Sequence, residues 1–361
     1  MSWLGIVDLD QNTTDLAQLS QAQLQAGGGD ALMLRGTLVV EMSIPDSRRP
    51  EPLLQFAQGG DWPIELGLQA VPGGGVSLVL TQGGNLSHAT LNPSDSGRAG
   101  QVRLTYAWDS LQGYARLALE RADSNRVQIA QLPPPQPWRY QDLKTLVCPG
   151  PLRFTSPALR YLALSDQLEP VGPTPGLDPD TPVATPAGYC PVDQVQRGDL
   201  VLSETGTAVP VLHVLRCELP ALGIYRPVRL RAPFFDLQQD IQISASQRVV
   251  LSGSEVEYMF GRPSVLVPAR HLLGTSVATA GQSSGPTITY TQLILPDHAP
   301  VLAAGAVLES LYLGSLRRDV RRLAASRLAV FERTSLPEHG PPRYPVLGSF
   351  DAAILAERRV A

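Results

Sequence analysis

Apolar and polar residues alternate through Val102-Arg103-Leu104-Thr105-Tyr106, which predicts a strand with one face buried and the other wet. Short runs rich in Val, Leu and Ile recur at 32–44, 53–57, 63–71, 76–81, 114–120 and 126–131. Turn chemistry separates them: Gly73-Gly74-Gly75, Gly83-Gly84-Asn85, Asp95-Ser96-Gly97 and Ser124-Asn125. Seven such strands predict a mainly β fold that opens with an antiparallel sandwich of two sheets over 1–170. The run Leu132-Pro133-Pro134-Pro135-Gln136-Pro137-Trp138 reads as a surface loop leaving that sandwich, with Trp138 folded back onto it. Glu169-Pro170-Val171-Gly172-Pro173-Thr174-Pro175-Gly176 has few packing side chains and prolines that fix φ, so it reads as an extended connector and a domain boundary. The β pattern resumes from 181 to about 313, predicting a second β domain within 171–314. From Ser315 the period lengthens. Leu316, Val320, Leu323, Leu328 and Phe331 keep near-helical spacing with arginines between them, and a further helix is expected over 350–359. The segment 315–361 is thus expected as a helical C-terminal extension with a solvated arginine face.

The composition narrows the partners. Of 361 residues, 29 are Lys or Arg and 33 Asp or Glu, for a formal charge of −4. That balance gives no general attraction for nucleic acid or anionic membrane. No run of about 18 apolar residues occurs, so no membrane span is expected. The start, Met1-Ser2-Trp3-Leu4-Gly5-Ile6-Val7-Asp8, lacks a basic stretch before an apolar one, so no conventional leader is expected. Export by a signal-independent route stays open. Cys148, Cys190 and Cys217 form no CxxC pair and are too few for a disulfide framework, although one bridge is open to them. His88, His213, His271, His298 and His339 show no metal-ligand spacing, so neither metal nor cofactor is expected. Abundant edge strands favour association with other protein subunits, as an oligomer or within a larger assembly.

Chemistry enters at Thr181-Pro182-Val183-Ala184-Thr185-Pro186-Ala187-Gly188, a strand running into a tight turn, followed by Pro191-Val192-Asp193-Gln194-Val195-Gln196-Arg197-Gly198-Asp199-Leu200-Val201-Leu202. Three later blocks keep the same order: Ile241-Gln242-Ile243-Ser244-Ala245-Ser246-Gln247-Arg248-Val249, Phe260-Gly261-Arg262-Pro263-Ser264-Val265, and Thr289-Tyr290-Thr291-Gln292-Leu293-Ile294-Leu295-Pro296-Asp297-His298 with Gly305 and Glu309-Ser310-Leu311-Tyr312. Over about 174–314 this resembles the Hint module shared by hedgehog proteins and inteins, in its bacterial form. The resemblance implies self-directed acyl transfer. An opening cysteine or serine attacks the carbonyl before it, and a threonine–histidine pair polarises that bond and protonates the departing amine. Set against that pattern, Gly176 takes the nucleophile's position, Thr181 stands in the opening strand, and Gln247 takes the inner-strand histidine's position. Asp297 and His298 are retained. Glycine has nothing to attack with, and a carboxamide does not shuttle protons near neutral pH. The expectation is an enzymatically inert module. Cys190 lies beyond the first turn, and Thr174 is a weak nucleophile followed by Pro175. Asp297 and His298 also read as a turn residue and a strand-end histidine, and His213 and His271 as partly buried, satisfied histidines.

The first 170 residues resemble the jelly-roll sandwiches of the concanavalin-like and laminin-G-like superfamily, chiefly through Val102-Arg103-Leu104-Thr105-Tyr106-Ala107-Trp108-Asp109 and Gly113-Tyr114-Ala115-Arg116-Leu117-Ala118-Leu119-Glu120. Such domains often bind glycans by stacking an aromatic ring on a sugar face. Trp62, Trp108, Tyr114 and Trp138 are the candidate platform, and core or edge packing is the competing role for each. Glycoside hydrolysis needs paired carboxylates. Glu41, Glu65 and Glu120 each stand on a strand without a partner two residues away, and Trp62-Pro63 interrupts the pair Asp61 and Glu65, so hydrolysis is not expected. The sequence thus points to a non-catalytic structural or recognition protein, surface- or particle-associated in the manner of an adhesin or phage component. Other subunits and cell-surface polysaccharide are its expected partners. Self-processing through an atypical nucleophile is the alternative.

Overall fold

The computed structural model describes residues 2–44, 47–92, 100–121 and 127–359. The expected turns at 95–97 and 124–125 lie outside the described residues. The chain divides into two compact units, Met1–Gly172 and Pro173–Ala361. The division falls inside the proline-rich connector, two residues beyond the expected boundary. The C-terminal extension is not a unit of its own. Leu316, Leu323, Leu328 and Leu336 pack with Leu215 and Ile294, while Leu347, Ala352 and Leu355 join the main core of the second unit.

The first unit is built from a seven-stranded and a five-stranded antiparallel sheet. The larger runs Val127–Leu132, Tyr114–Arg121, Gly100–Asp109, Arg35–Ile44, Leu159–Ser165, Trp3–Asp8, Thr13–Asp15 across its width. The smaller runs Arg153–Thr155, Glu51–Gln58, Ile64–Val71, Gly75–Gln82, Asn85–Leu91. Gly83 and Gly84 both adopt positive φ, 54° and 86°, the conformation that a two-residue hairpin turn requires. Alternate residues such as Leu38, Val40, Leu66, Leu68, Leu78, Leu104 and Leu117 form one continuous core. The expected wet face of 102–106 is a correction. Arg103 is 5% exposed and Thr105 2%, because the residues after Leu159–Ser165 return across this face. Thr37 Oγ1 donates to Gln167 O at 2.6 Å, Arg116 Nη2 donates to Glu169 O at 2.6 Å, and Gly172 N donates to Glu120 Oε1 at 2.8 Å. The strand Trp3–Asp8 and the helix Ala17–Gln25 carry no clean periodicity, and the helix Tyr140–Val147, with Leu143, Leu146 and Val147 at helical spacing on its buried face, is an addition to the expected elements.

In the second unit a six-stranded sheet takes in Gly188–Pro191, Pro182–Thr185, Val301–Ala303, Ala306–Leu308, Arg248–Ser252 and Ser264–Pro268. A long pair, His213–Pro220 with Thr287–Ile294, a short pair, Leu200–Leu202 with Ala208–Pro210, and the three-stranded group Ile241–Ser244, Pro227–Leu230, Ala278–Ala280 accompany it. The expected continuous helix from Leu316 to Phe331 is a second correction. A short α-helix at Val320–Ala324, flanked by 3-10 turns at Leu316–Arg318 and Arg327–Val330, stands in its place. Asp319 and Ser326 cap successive turns with their side chains, competing with helix continuation, and Val320 is left 58% exposed. The last helix, Ser349–Arg358, lies where the spacing put it. No helix among the described residues is long and apolar enough to cross a membrane.

Candidate functional site

The chain enters the second unit threaded between two strands. Leu177 N donates to Thr291 O at 3.1 Å and Thr291 N to Leu177 O at 2.8 Å, on the side of Thr287–Ile294. On the other side Ser244 N donates to Gly176 O at 2.8 Å and Asp178 N to Gln242 O at 3.2 Å. Gly176 is thereby held over the end of the strand Ile241–Ser244 and the turn that follows it. A Cβ added at Gly176 meets Gln247 Oε1 at 2.6 Å, Ser244 Oγ at 2.8 Å and Gln247 Cβ at 3.0 Å. The nucleophile position and the histidine position of the sequence reading are therefore side by side, and the carboxamide of Gln247 fills the space a side chain at 176 needs.

Gln247 is locked there. Its Nε2 donates to Glu309 O at 2.9 Å and to Arg248 O at 3.2 Å, while its Oε1 accepts from Gln292 Nε2 at 3.0 Å. Two carbonyl acceptors fix which end of the amide carries nitrogen. Gln292 Nε2 also reaches Glu309 O at 2.9 Å. The network is buried, with Gln247 6% and Gln292 2% exposed.

Glu309 links this network to the retained histidine. Its carboxylate takes Arg248 Nη1 at 3.2 Å and lies 3.2 Å from His298 Nε2. That second contact is close enough for an ion pair with a protonated imidazole but is not aligned as a hydrogen bond, and both ring nitrogens of His298 are buried without a hydrogen-bond partner among the described residues. His298 packs against Tyr312 and His339, with ring centroids 4.8 and 5.7 Å away. His339 accepts from Leu313 N through Nδ1 and lies 3.1 Å from Leu295 O through Nε2; burial holds its pKa below the ordinary imidazole value, against an opposing hydrogen bond to Leu295. Asp297 is exposed in the bend before His298. Thr181 is buried, and its backbone ties the first turn together: Thr181 N donates to Asp178 O and Val192 N to Thr181 O, each at 2.9 Å.

Cys190 lies opposite Val183 in the first hairpin, whose turn Gly188 closes with φ 119°. Burial, then the neighbouring Asp199, raises its pKa and keeps it a thiol, the unreactive form. Cys148 and Cys190 are in no disulfide. Gln292, Glu309, Arg248 and His339 were not singled out as site residues. Glu309 gave a usable signal, a lone carboxylate amid Ala306-Val307-Leu308 and Leu311.

In the first unit the four candidate aromatics do not form one platform. Trp108 is 0% and Trp138 1% exposed. In the core Trp108 stacks on Tyr106 with ring centroids 5.5 Å apart, and Trp138 lies tilted against Trp108 at 5.9 Å, so no ring face is left for a sugar. Trp62 is half-buried beside Gly83, and Tyr114 is half-buried opposite Asp109. The carboxylates that seemed isolated are in fact aligned. Glu41, Arg103 and Glu120 occupy directly opposite positions on three neighbouring strands. Arg103 donates to Glu120 through Nε at 3.1 Å and Nη2 at 2.7 Å, and all three residues are buried. Strand register, which the sequence does not print, puts them together.

Among solved structures, the gp41-1 intein is 16% identical, covering 37% of this chain and 98% of that one, with a TM-score of 0.25. The MchDnaB-1 intein (N145AA) is 15% identical over 37% of this chain and 98% of its own, at 0.23. The CBM40 module of the Ruminococcus gnavus IT-sialidase, bound to α2,3-sialyllactose, is 16% identical over 46% of this chain and 88% of its own, at 0.29. No curated protein matches. Residues 175–315, which open at the junction before Gly176 and close just beyond Glu309, match the Hint domain family.

Proposed function

We propose that residues 175–315 are a Hint framework that does not cut its own backbone, joined to a β-sandwich that recognises glycans or other proteins at a cell or particle surface. One observation carries the first part: the place for a side chain at Gly176 is taken by Gln247 Oε1, 2.6 Å from where a Cβ would be. Acyl transfer needs an attacking atom and a group that hands a proton to the leaving amine. Gly176 supplies no attacking atom, and the locked amide of Gln247 has no titrating proton. His298 remains nearby in the network, but it faces Glu309. The sandwich's share in recognition rests on its two-sheet architecture, with Trp62 and Tyr114 as the partly exposed rings. The second reading, slow processing through another nucleophile, draws on the retained Asp297 and His298.

Intact mass after prolonged incubation, with and without thiol or hydroxylamine, tests the reading. The expected result is a single unchanged chain of 38.8 kDa. Fragments that meet next to Gly176, appearing faster with hydroxylamine, would overturn it.

A further inference from the structure

The segment 315–338 carries six arginines, Arg317, Arg318, Arg321, Arg322, Arg327 and Arg333, against three acids, Asp319, Glu332 and Glu338, in a chain whose formal charge is −4. Its fold turns three of the six cations fully outward. Leu316, Leu323, Leu328 and Leu336 are the buried anchors, and the short helical segments between them leave Arg318, Arg321 and Arg333 exposed. The segment's acids are half as many as its arginines. Glu338 is shared by Arg317 and Arg318, and Asp319 Oδ1 accepts from Arg322 N at 3.0 Å. Arg333 Nε donates to Arg317 O at 2.7 Å, so the ends of the segment are drawn together.

We infer that this arginine surface is a docking site for an acidic polysaccharide, a chain bearing carboxylates on its sugar rings. Guanidinium forks pair with carboxylates in a bidentate fashion. The surface lacks what two other polyanions use. Binding to single-stranded nucleic acid leans on exposed rings that stack with bases, and the aromatic of this segment, Phe331, is half-buried with its ring 4.3 Å from that of His213. Binding to a membrane surface needs a broad apolar face beside the cations, and here Val320 and Val330 are the large hydrophobics left exposed. The inference adds a second contact surface, apart from the sandwich, to the proposed recognition role.

Affinity electrophoresis of the full chain tests it, with polygalacturonate, neutral dextran, duplex DNA and phosphatidylglycerol vesicles as probes. Polygalacturonate is expected to retard the chain, dextran not at all, and added salt to abolish the retardation. The double variant Arg318→Gln/Arg321→Gln, both positions exposed, is expected to need at least tenfold more polygalacturonate. Its circular dichroism melt, unchanged from that of the parent, separates lost binding from lost folding. Absence of retardation in the parent overturns the inference, as does equal retardation of the variant, retardation by dextran, or tighter binding to DNA or vesicles. Neither outcome touches the uncut-framework reading, which the mass measurement decides separately.

Discussion

At the scale of the residue, Gly176 and Gln247 define each other. A methyl group at 176 collides with two side chains that cannot simply swing away, because Gln247 is held by Glu309 and Gln292 and Ser244 Oγ accepts from Gln247 N at 3.1 Å. Gly176→Ala is expected to cost about 1–3 kcal/mol, the usual range for overpacking a closed site. Gln247→Ala costs in its own right through the broken network. The double variant is expected to be more stable than the sum of the two losses by at least about 0.5 kcal/mol, since the two side chains compete for one space. Urea titration of the four proteins measures that coupling, and strict additivity would show that the collision is relieved elsewhere. Gly176→Cys restores a sulfur but no proton donor, and is expected to remain one uncut chain by intact mass.

At the scale of the element, the sequence was read well where alternation or turn chemistry speaks and poorly where capping decides. The strands Ile64–Val71, Gly75–Gln82 and Tyr114–Arg121 lie within a residue of their expected limits, and glycine turns stand between the first two and before the third. After Ser315 leucines three to five residues apart fit one continuous helix and a series of short leucine-anchored helical segments equally well; capping by Asp319 and Ser326 breaks the stretch into segments. That Gly176 and Gln247 share one site was implied by the resemblance to the Hint module, not by the pattern of the residues themselves. The link through Glu309 to His298 was not, since it depends on which strand ends meet. The segments after Ser315 also set a pH dependence. His213 Nε2 lies 3.0 Å from Ser335 Oγ, and burial holds both His213 and His339 below the ordinary imidazole value. The folded state therefore binds fewer protons at these rings than the unfolded chain does. Their contribution is complete above about pH 6.5, the unperturbed imidazole value, and is lost as pH falls through the depressed folded values. The urea midpoint followed by circular dichroism is expected to drop between pH 7.5 and 5, and to drop less in His213→Asn/His339→Asn. An equal drop in both proteins would place the acid sensitivity in other groups.

At the scale of the whole molecule, the placement of tryptophan separates folding from recognition. Trp3, Trp62, Trp108 and Trp138 all lie in Met1–Gly172, so tryptophan emission reports on that unit. Trp108 has no exposed surface and stacks on Tyr106 at 5.5 Å. Trp108→Ala is therefore expected to destabilise the sandwich by about 3–5 kcal/mol, as large-to-small core changes do, and any glycan binding lost with it is lost through folding. Trp62 and Tyr114 are the informative positions, because each keeps part of its ring in solvent and its removal opens no deep cavity. If the sandwich holds sugars through them, Trp62→Ala or Tyr114→Ala releases the protein from a glycan array while the urea midpoint by emission moves by less than about 1 kcal/mol, the scale of a surface change. Retention equal to the parent's in both variants, at unchanged stability, would take sugar stacking by these rings out of the sandwich's role and leave protein contacts as its recognition mode.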